Sequence, residues 1–334
     1  MISSAIPTDM RLYSTRNGLQ IVGDSLEVVR LLPDESVDLI LTSPPFALLR
    51  EKIYGNESQS NYGEWLSQFG RAAFRVLKTT GSFVIDLGGA YERGRPVRSL
   101  YNYRVLLDFC DNLDYRLAEE FFWYNPARLP SPIEWVNKRK LRAKDAVDTV
   151  WWFSKNDFPK ADVTRVLVPY SARMNTLLKD ADKFYKPKER PSGHDISKAF
   201  AKDNGGAIPS NLLQISNTDS NSEYLRLCKQ FGVERHPARF PPELPEFFIK
   251  FLTDPNDVVM DIFSGSNTCG WVAERLNRRW ISIEKDREYA ISSGLRFMEH
   301  WELSRIEQTI RTMREGCNLP LETIAPEREL PFTL

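Results

Sequence analysis

The sequence predicts an α/β fold with a mostly parallel sheet and a long polar segment inserted into it. Two observations carry this prediction. Short runs with the character of buried strands alternate with amphipathic helical patterns along most of the chain, which is typical of parallel strands covered by helices on both faces. The range 156–233 interrupts this alternation, because it is rich in Pro, Gly, Ser, Asn and Lys.

Seven stretches have the length and composition of strands. We expect them at 18–23, 37–42, 82–89, 116–125, 146–155, 257–263 and 278–286. Helical patterns fall between them, at "SLEVVRLL", at 62–78, at "VLLDFCDNL", at "PPELPEFFIKFLT" with a proline at its start, and at "NTCGWVAERLN".

Composition sets the limits of the interpretation. The chain has 334 residues, of which 42% are hydrophobic and 27% charged, so a sizeable core is expected. The formal net charge of zero argues against a polycationic tail but leaves a local basic groove open. Without a leader-like segment or a run of 18 apolar residues, we expect a cytoplasmic protein.

The cysteines predict no disulfide framework and no zinc site, because no two of them form a CxxC pair. They are Cys110, Cys228, Cys269 and Cys317. With only three histidines and no ligand cluster, His194 is not expected to bind a metal, and we predict no metal site.

The polar range 156–233 has two interpretations. One is a solvated, partly disordered insertion that cannot fill a sheet core. The other is a recognition surface, which is favoured by aromatic residues interleaved with basic ones at Lys183, Phe184, Tyr185, Lys186, Lys188 and Arg190.

A strand that ends in "TSPPF" is the first sign of a site. In open α/β sheets ligands bind at the carboxyl ends of the strands, and Ser43-Pro44-Pro45-Phe46 follows the strand at 37–42. Two prolines stiffen the backbone, so a carbonyl and the serine hydroxyl can hold an amino group in a fixed direction. Held in this way, the poorly nucleophilic amine of a nucleobase becomes more tetrahedral, while Phe46 stacks on the ring. Taken alone, the prolines equally fit a simple strand end.

The stretch "VVMDIFSGSNTCG" is the second sign. A buried strand ends at Asp261, small residues follow, and a helix begins near Asn267 or Thr268. Small residues let a ligand approach the backbone, and a helix start attracts an anionic group. Glu284 ends the next strand, where a carboxylate can accept both hydroxyls of a ribose. Since the spacing is not that of a dinucleotide or P-loop motif, S-adenosylmethionine fits best.

Together these motifs resemble the DNA amino-methyltransferases of the cytosine-N4 type, in which the catalytic motif precedes the cofactor motif. Ser43-Pro44-Pro45-Phe46 matches their S/D/N-P-P-Y/F motif, and 261–268 matches their cofactor loop, with Ser264 and the following Cys269 as departures. The resemblance extends to "TSPPFALLR", "SPIEWVNKRK", "DAVDTVWWFSK", "RPSGHDI", "HPARFP" and "SGSNT". It implies a Rossmann-like S-adenosylmethionine-dependent fold with a seven-stranded sheet.

The resemblance also implies residue roles and a division of the chain. Ser43 and the Pro44 carbonyl would hold the cytosine amine, and "HPARFPPELPEFF" would form a helix over the cofactor. The implied cofactor contacts are Asp24, Asp261, Phe263, Gly265, Ser266, Asn267, Thr268 and Glu284, and the implied base pocket is Tyr124, Asn125 and Pro126. The implied parts are a catalytic half at 1–155, a target-recognition region at 156–233 and a cofactor-binding half at 234–334.

A basic stretch predicts contact with double-stranded DNA. With little acid nearby, we expect phosphate binding by Lys138, Arg139, Lys140, Arg142 and Lys144. By resemblance the protein is a monomeric protective methyltransferase of a type II restriction–modification system, linked to an endonuclease and acting on CAGCTG. Three alternatives stay open: an adenine-N6 enzyme, a methyltransferase acting on protein or a small molecule, and a DNA-binding module without catalysis.

Overall fold

The computed structural model describes residues 5–47, 57–180, 183, 202–218, 222–316 and 318–322. Its strands are β1 (Arg11–Ser14), β2 (Gly18–Val22), β3 (Val37–Thr42), β4 (Leu77–Gly88), β5 (Arg116–Tyr124), β6 (Val147–Ser154), β7 (Leu212–Gln214), β8 (Val258–Asp261), β9 (Arg279–Glu284) and β10 (Leu319–Pro320). Its helices are α1 (Ser25–Leu31), α2 (Tyr62–Val76), α3 (Tyr101–Asn112), α4 (Ala172–Lys179), α5 (Glu223–Phe231), α6 (Glu243–Leu252), α7 (Thr268–Arg275), α8 (Arg287–Gly294) and α9 (Leu303–Glu315).

All these strands join one sheet in the order β10-β1-β2-β9-β8-β3-β4-β6-β5-β7. The expected α/β fold with a mostly parallel sheet is confirmed, and β6 is the strand that runs antiparallel to both of its neighbours. Seven central strands, from β2 to β5 in this order, match the expected number. Three short strands extend them at the two ends of the sheet, which the sequence patterns did not predict.

Helices cover both faces of the sheet, as the alternating pattern predicts. Strand β3 shows why: all six of its residues are buried, and successive side chains point to opposite faces. Leu39 and Leu41 belong to the core shared with α5 to α9, whereas Ile40 between them belongs to the core shared with α1 to α3. A continuous apolar run is therefore required here.

The expectation that 156–233 cannot contribute to the sheet core is wrong for the described part of that range. Strand β7 pairs in parallel with β5, and its central residue Leu213 is fully buried. Helix α5 buries one face, formed by Tyr224, Leu225, Leu227 and Cys228. A three-residue strand and one amphipathic face need few apolar residues, so average composition conceals them. Phe184 to Arg190 and His194 lie outside the described residues.

Strand direction brings distant residues to one edge of the sheet. β3, β4, β8 and β9 are parallel neighbours, so their carboxyl ends lie side by side. β6 runs the opposite way, so its first residues reach the same edge, where Asp148 pairs with Gly88 of β4. No helix in the described ranges is long and apolar enough to cross a membrane.

Candidate active site

A cavity of about 640 Å³ opens at this edge of the sheet. It brings together residues from both sequence motifs, which lie more than 200 positions apart in the chain. The sequence-predicted residues that line it are Asp24, Ser43, Pro44, Pro45, Phe46, Phe263, Gly265, Ser266, Thr268 and Glu284. The two motifs therefore form one site.

The "SPPF" segment is held by hydrogen bonds on either side. Ser43 Oγ donates to Asp86 Oδ2 over 3.1 Å, and the hydroxyl of Tyr62 donates to the Pro45 carbonyl over 2.8 Å. Phe46 approaches the backbone of β4 so closely that a Cβ on Gly88 would lie 2.4 Å from its ring. The segment is thus fixed against β4 and α2, as the two prolines suggest.

A buried acidic pair lies behind Ser43. Asp86 is buried, and burial raises its pKa well above the ordinary value; the nearby charge of Asp148 raises it further, while the Ser43 hydrogen bond opposes both. Arg128 donates to both carboxylate oxygens of Asp148, with Nη1 to Oδ1 at 3.0 Å. Asp86, Arg128 and Asp148 all line the cavity. Asp86 Oδ1 has no hydrogen-bond partner among the described residues.

The cofactor-type loop begins at a buried carboxyl group. Asp261 Oδ1 accepts hydrogen bonds from Thr42 Oγ1 at 2.7 Å and from the Phe263 backbone N–H at 3.1 Å. Burial raises the pKa of Asp261 to about 6, while these hydrogen bonds oppose the shift. Asp261 does not line the cavity; it joins the ends of β3 and β8 beneath it. Phe263 lines the cavity and packs its ring 4.8 Å from that of Phe69.

Glu284 and Asp24 lie at the ends of neighbouring strands. Glu284 Oε2 accepts the Gly265 N–H at 2.8 Å and Oε1 accepts the Asp286 N–H at 2.9 Å. Burial raises the pKa of Glu284, against the effect of these bonds. Asp24 caps α1 by accepting the Leu26 N–H at 2.9 Å. Each carboxylate oxygen retains capacity for further donors, so both side chains can accept from a ligand's hydroxyl or amino groups.

Gly265 allows the closest approach in the loop. Its φ of +48° lies in the left-handed region, and an added Cβ would lie 2.9 Å from Nδ1 of His236. His236 lines the cavity and contacts Tyr289 edge-on, with ring centroids 4.7 Å apart. The "HPARF" segment 236–240 thus lies against the loop without regular secondary structure, and α6 begins only at Glu243. Of the expected helix only 243–248 is helical, and none of these residues lines the cavity.

Asn267 supports the loop from within the core. It is fully buried with a φ of +54°, and its side chain accepts the Gly270 N–H at 3.0 Å to cap α7. Nδ2 donates to the hydroxyl of Tyr13 at 3.2 Å. These are the contacts of a helix cap, so Asn267 shapes the site without lining it. Beside it, Ser266 is held by Arg296, whose Nε donates to the Ser266 carbonyl at 2.7 Å.

The predicted base-pocket residues lie just outside the cavity. Asn125 is buried, and its Oδ1 accepts backbone N–H groups of Ala127 at 3.1 Å and of Asn217 at 3.2 Å. Neither Tyr124 nor Pro126 lines the cavity, whereas Trp123 does. Alternation along β5 explains this shift by one residue, because neighbouring side chains point to opposite faces.

The predicted DNA-binding residues lie on the exposed loop between β5 and β6. The premise that little acid lies nearby is wrong, because Glu134 pairs with Lys138 at 3.4 Å and with Arg139 at 2.9 Å. Arg142 donates to the Pro96 carbonyl at 2.7 Å, and Lys144 donates to the Pro126 carbonyl at 3.0 Å. Lys140 forms no ion pair with any residue that the structure describes.

Sequence reasoning missed several residues that line the cavity. Asp86 had a usable signal, since it is an acidic residue inside the apolar strand "SFVIDLGG". Asp148 had the same signal within the predicted strand 146–155, but Arg128 had none, and the contact between the two depends on the pairing of β4, β5 and β6. Among the described residues no group of three His, Cys, Asp or Glu side chains could hold a metal ion.

Known proteins resemble this chain over most of its length. The sequence profile of a family described as DNA methylase, covering N6 and N4 methyltransferases, matches residues 37–293. The type II methyltransferase M.PvuII of Proteus hauseri is 59% identical over 288 residues, which cover 86% of each chain. M.BglII of Bacillus subtilis is 25% identical over 80% of this chain and 65% of its own.

Solved structures show the same fold. The cytosine-N4-specific PvuII DNA methyltransferase superposes with a TM-score of 0.77 at 47% identity, covering 95% of this chain and 99% of the other. A DNA modification methylase of Thermus thermophilus, solved in complex with S-adenosyl-L-methionine, has a TM-score of 0.51 at 18% identity, over 91% and 99% of the two chains. With its profile match across most of its length and a relative of 59% identity, this chain belongs to the DNA methylase family of N6 and N4 methyltransferases.

Proposed function

We propose that this protein transfers the methyl group of S-adenosyl-L-methionine to the exocyclic N4 of cytosine in a specific site of double-stranded DNA. The observation that carries the proposal is the single cavity in which Ser43 and Asp86 face the loop after β8. Identity of 59% to M.PvuII and the cytosine-N4 specificity named for the solved relative favour cytosine over adenine.

The amine is positioned by fixed acceptors. Ser43 Oγ and the carbonyl of Pro44 present oxygen atoms from a segment that the prolines and the Tyr62 contact immobilise. Hydrogen bonds from both protons of the amine favour a tetrahedral nitrogen, whose lone pair then points at the methyl group. Phe46 stacks on the base.

The proton is removed through Ser43. When bound, S-adenosyl-L-methionine would supply an electrophilic methyl group on its sulfonium, and the sulfur would keep the electron pair of the S–C bond that breaks. The nitrogen must then release one proton, which Ser43 accepts while passing its own hydroxyl proton to Asp86 Oδ2. Burial raises the pKa of Asp86, which makes its carboxylate a stronger base than an exposed one. The Arg128–Asp148 pair fixes the neighbouring charge.

The other side of the cavity fits the cofactor. Glu284 accepts the ribose hydroxyls, and Asp24 accepts from the adenine amine. The left-handed turn at Gly265 lets the His236 ring pack directly against the loop, because no side chain projects there. Phe263 forms an apolar wall, while Ser266 and Thr268 lie at the start of α7, where carboxylate groups are favoured. This combination of hydrogen-bond acceptors, an apolar wall and a helix start suits an adenosine with an amino-acid tail.

DNA binding follows from the exposed basic loop. A cytosine within a duplex must be extruded before it can reach Ser43, and the loop between β5 and β6 supplies phosphate contacts. We propose that the enzyme acts as a monomer in the bacterial cytoplasm, on the site CAGCTG, and protects DNA from a cognate endonuclease. Residues 156–233 serve in target recognition.

Mass spectrometry of nucleosides tests the proposal. The chain is incubated with S-adenosyl-L-methionine and duplexes that carry CAGCTG or a scrambled sequence, and the digested products are compared. N4-methylcytosine from the first duplex alone is expected, and Ser43→Ala should lower its yield strongly while Leu303→Ala, an exposed substitution on α9, should not. N6-methyladenine or 5-methylcytosine as the main product would overturn the mechanism.

A further inference from the structure

The loop 125–146 joins β5 to β6 at the edge onto which the cavity opens. Arg128 lines the cavity and binds Asp148, so this residue of the loop faces inward. The next residue, Leu129, is 80% exposed, a larger fraction than for any other leucine, isoleucine or valine that the structure describes. Consecutive Cα atoms are about 3.8 Å apart, so Leu129 lies at the rim of the cavity.

The exposure of Leu129 is built into the loop. Lys144 Nζ donates to the carbonyls of two residues that precede Leu129, to Pro126 at 3.0 Å and to Arg128 at 3.2 Å. Asn137 Nδ2 donates to the carbonyl of Pro130, the residue that follows Leu129, at 3.3 Å. The backbone around Leu129 is therefore braced from both sides, and the side chain cannot be buried by a simple collapse of the loop.

The surroundings of Leu129 suit one kind of partner. Between 126 and 146 the loop carries six cationic side chains and two acidic ones, so it attracts a polyanion. Large apolar side chains exposed among cations are typical of proteins that insert a wedge between base steps while binding phosphates. An exposed leucine alone would carry no such meaning, but the backbone on either side of this one is held by hydrogen bonds, beside the pocket that must receive a base.

We infer that Leu129 enters the duplex and fills the gap from which the target cytosine is extruded. This inference rests on the proposed function. Ser43 lies in the cavity below the rim, and a base can reach it only after leaving the stack. A side chain that occupies the vacated space stabilises the extruded state, and Arg128 at its side lines the pocket that the base enters.

The test compares two substrates that differ in the cost of extrusion. One duplex carries the target cytosine paired with guanine, and the other carries it opposite an abasic position, where no base pair must be broken. Leu129→Ala should lower kcat/KM at least tenfold on the paired duplex and less than threefold on the other. Ile133→Ala is the matched control, because Ile133 is 59% exposed on the same loop, and it should change neither rate more than twofold.

Every outcome bears on the inference. An equal loss on both duplexes, or no loss on either, would overturn the wedge while leaving the methyltransferase proposal intact, because the unsubstituted chain methylates both. A loss specific to the paired duplex in Ile133→Ala but not in Leu129→Ala would also overturn it. If the unsubstituted chain methylates neither duplex, the proposed function fails and the wedge fails with it. Calorimetric titration with S-adenosyl-L-methionine should give the same affinity for both variants, since neither residue lines the cavity.

Discussion

Ser43 donates its hydroxyl hydrogen to Oδ2 of Asp86 over 3.1 Å, across two parallel strands whose residues lie 43 positions apart in the chain. The contact links a side chain that faces the cavity to a carboxyl group that is almost completely buried. It has the geometry of a relay, because the serine is accessible to a substrate and the carboxylate is the stronger base.

The relay predicts that Ser43 and Asp86 act as a unit. Ser43→Ala and Asp86→Asn should each lower kcat by about 10² or more, with KM for S-adenosyl-L-methionine changed less than threefold. The double variant should be no slower than the worse single one, because removing one member of a unit already disables it. Single-turnover kinetics measures this, and losses that multiply in the double variant would contradict the relay.

The left-handed glycine predicts a loss confined to cofactor binding. Gly265→Ala should weaken S-adenosyl-L-methionine binding at least tenfold, because the new methyl group would lie 2.9 Å from the His236 ring. Gly232→Ala is the matched control, since Gly232 has a φ of +61° with open space around it and suffers the same backbone strain. Isothermal titration compares the two, and equal affinities would contradict the role given to Gly265.

The sequence was sufficient to predict the parts of the site that lie within one segment. The strand ends that the site motifs placed at Thr42, Asp261 and Glu284 are correct, although the expected strand ranges 257–263 and 278–286 extend two residues further. Buried strands are apolar runs, and their ends are marked by small or acidic residues. Asn267 was expected in the cofactor site, yet its side chain points into the core. A local motif identifies the loop but does not reveal which of its side chains face the ligand.

Contacts between distant segments could not be predicted in this way. Asp148 reaches Asp86 only because β6 runs antiparallel between β4 and β5, and no periodicity encodes that pairing. Leu213 is buried in a three-residue strand within a polar stretch, where composition averaged over the region indicates solvent exposure. Glu134 lies close to the basic run in the sequence, but its pairing with Arg139 depends on the single helical turn Glu134–Lys138.

The basic loop predicts unequal contributions to DNA binding. Lys140→Ala should weaken binding to all sequences alike and lower the slope of log K against log salt by about 0.9. Lys138→Ala should have a smaller effect, because this side chain already pairs with Glu134. Arg311→Ala removes a charge from α9, near the opposite end of the sheet, and should leave the slope unchanged. Fluorescence anisotropy at several salt concentrations measures these slopes, and equal effects of the three substitutions would contradict the assignment.

Asp261 predicts a specific dependence of stability on pH. Its pKa is raised by burial to about 6 from the ordinary value of 3.8, so the folded protein holds a proton that the unfolded chain has released. The free energy of unfolding therefore falls as the pH rises from about 4 to about 6, by about 3 kcal/mol for this group.

Asp261→Asn keeps an acceptor for Thr42 and the Phe263 N–H but has no proton to lose. Its unfolding free energy relative to the unsubstituted chain should thus increase across this window and stay level above it, because the other titrating groups are common to both chains. Urea denaturation at pH 4, 5, 6 and 7 measures the difference, and a constant value at all four would contradict the raised pKa. Thr42→Val supplies the control, since losing its hydrogen bond removes an effect that lowers the pKa of Asp261 and should move the window to higher pH.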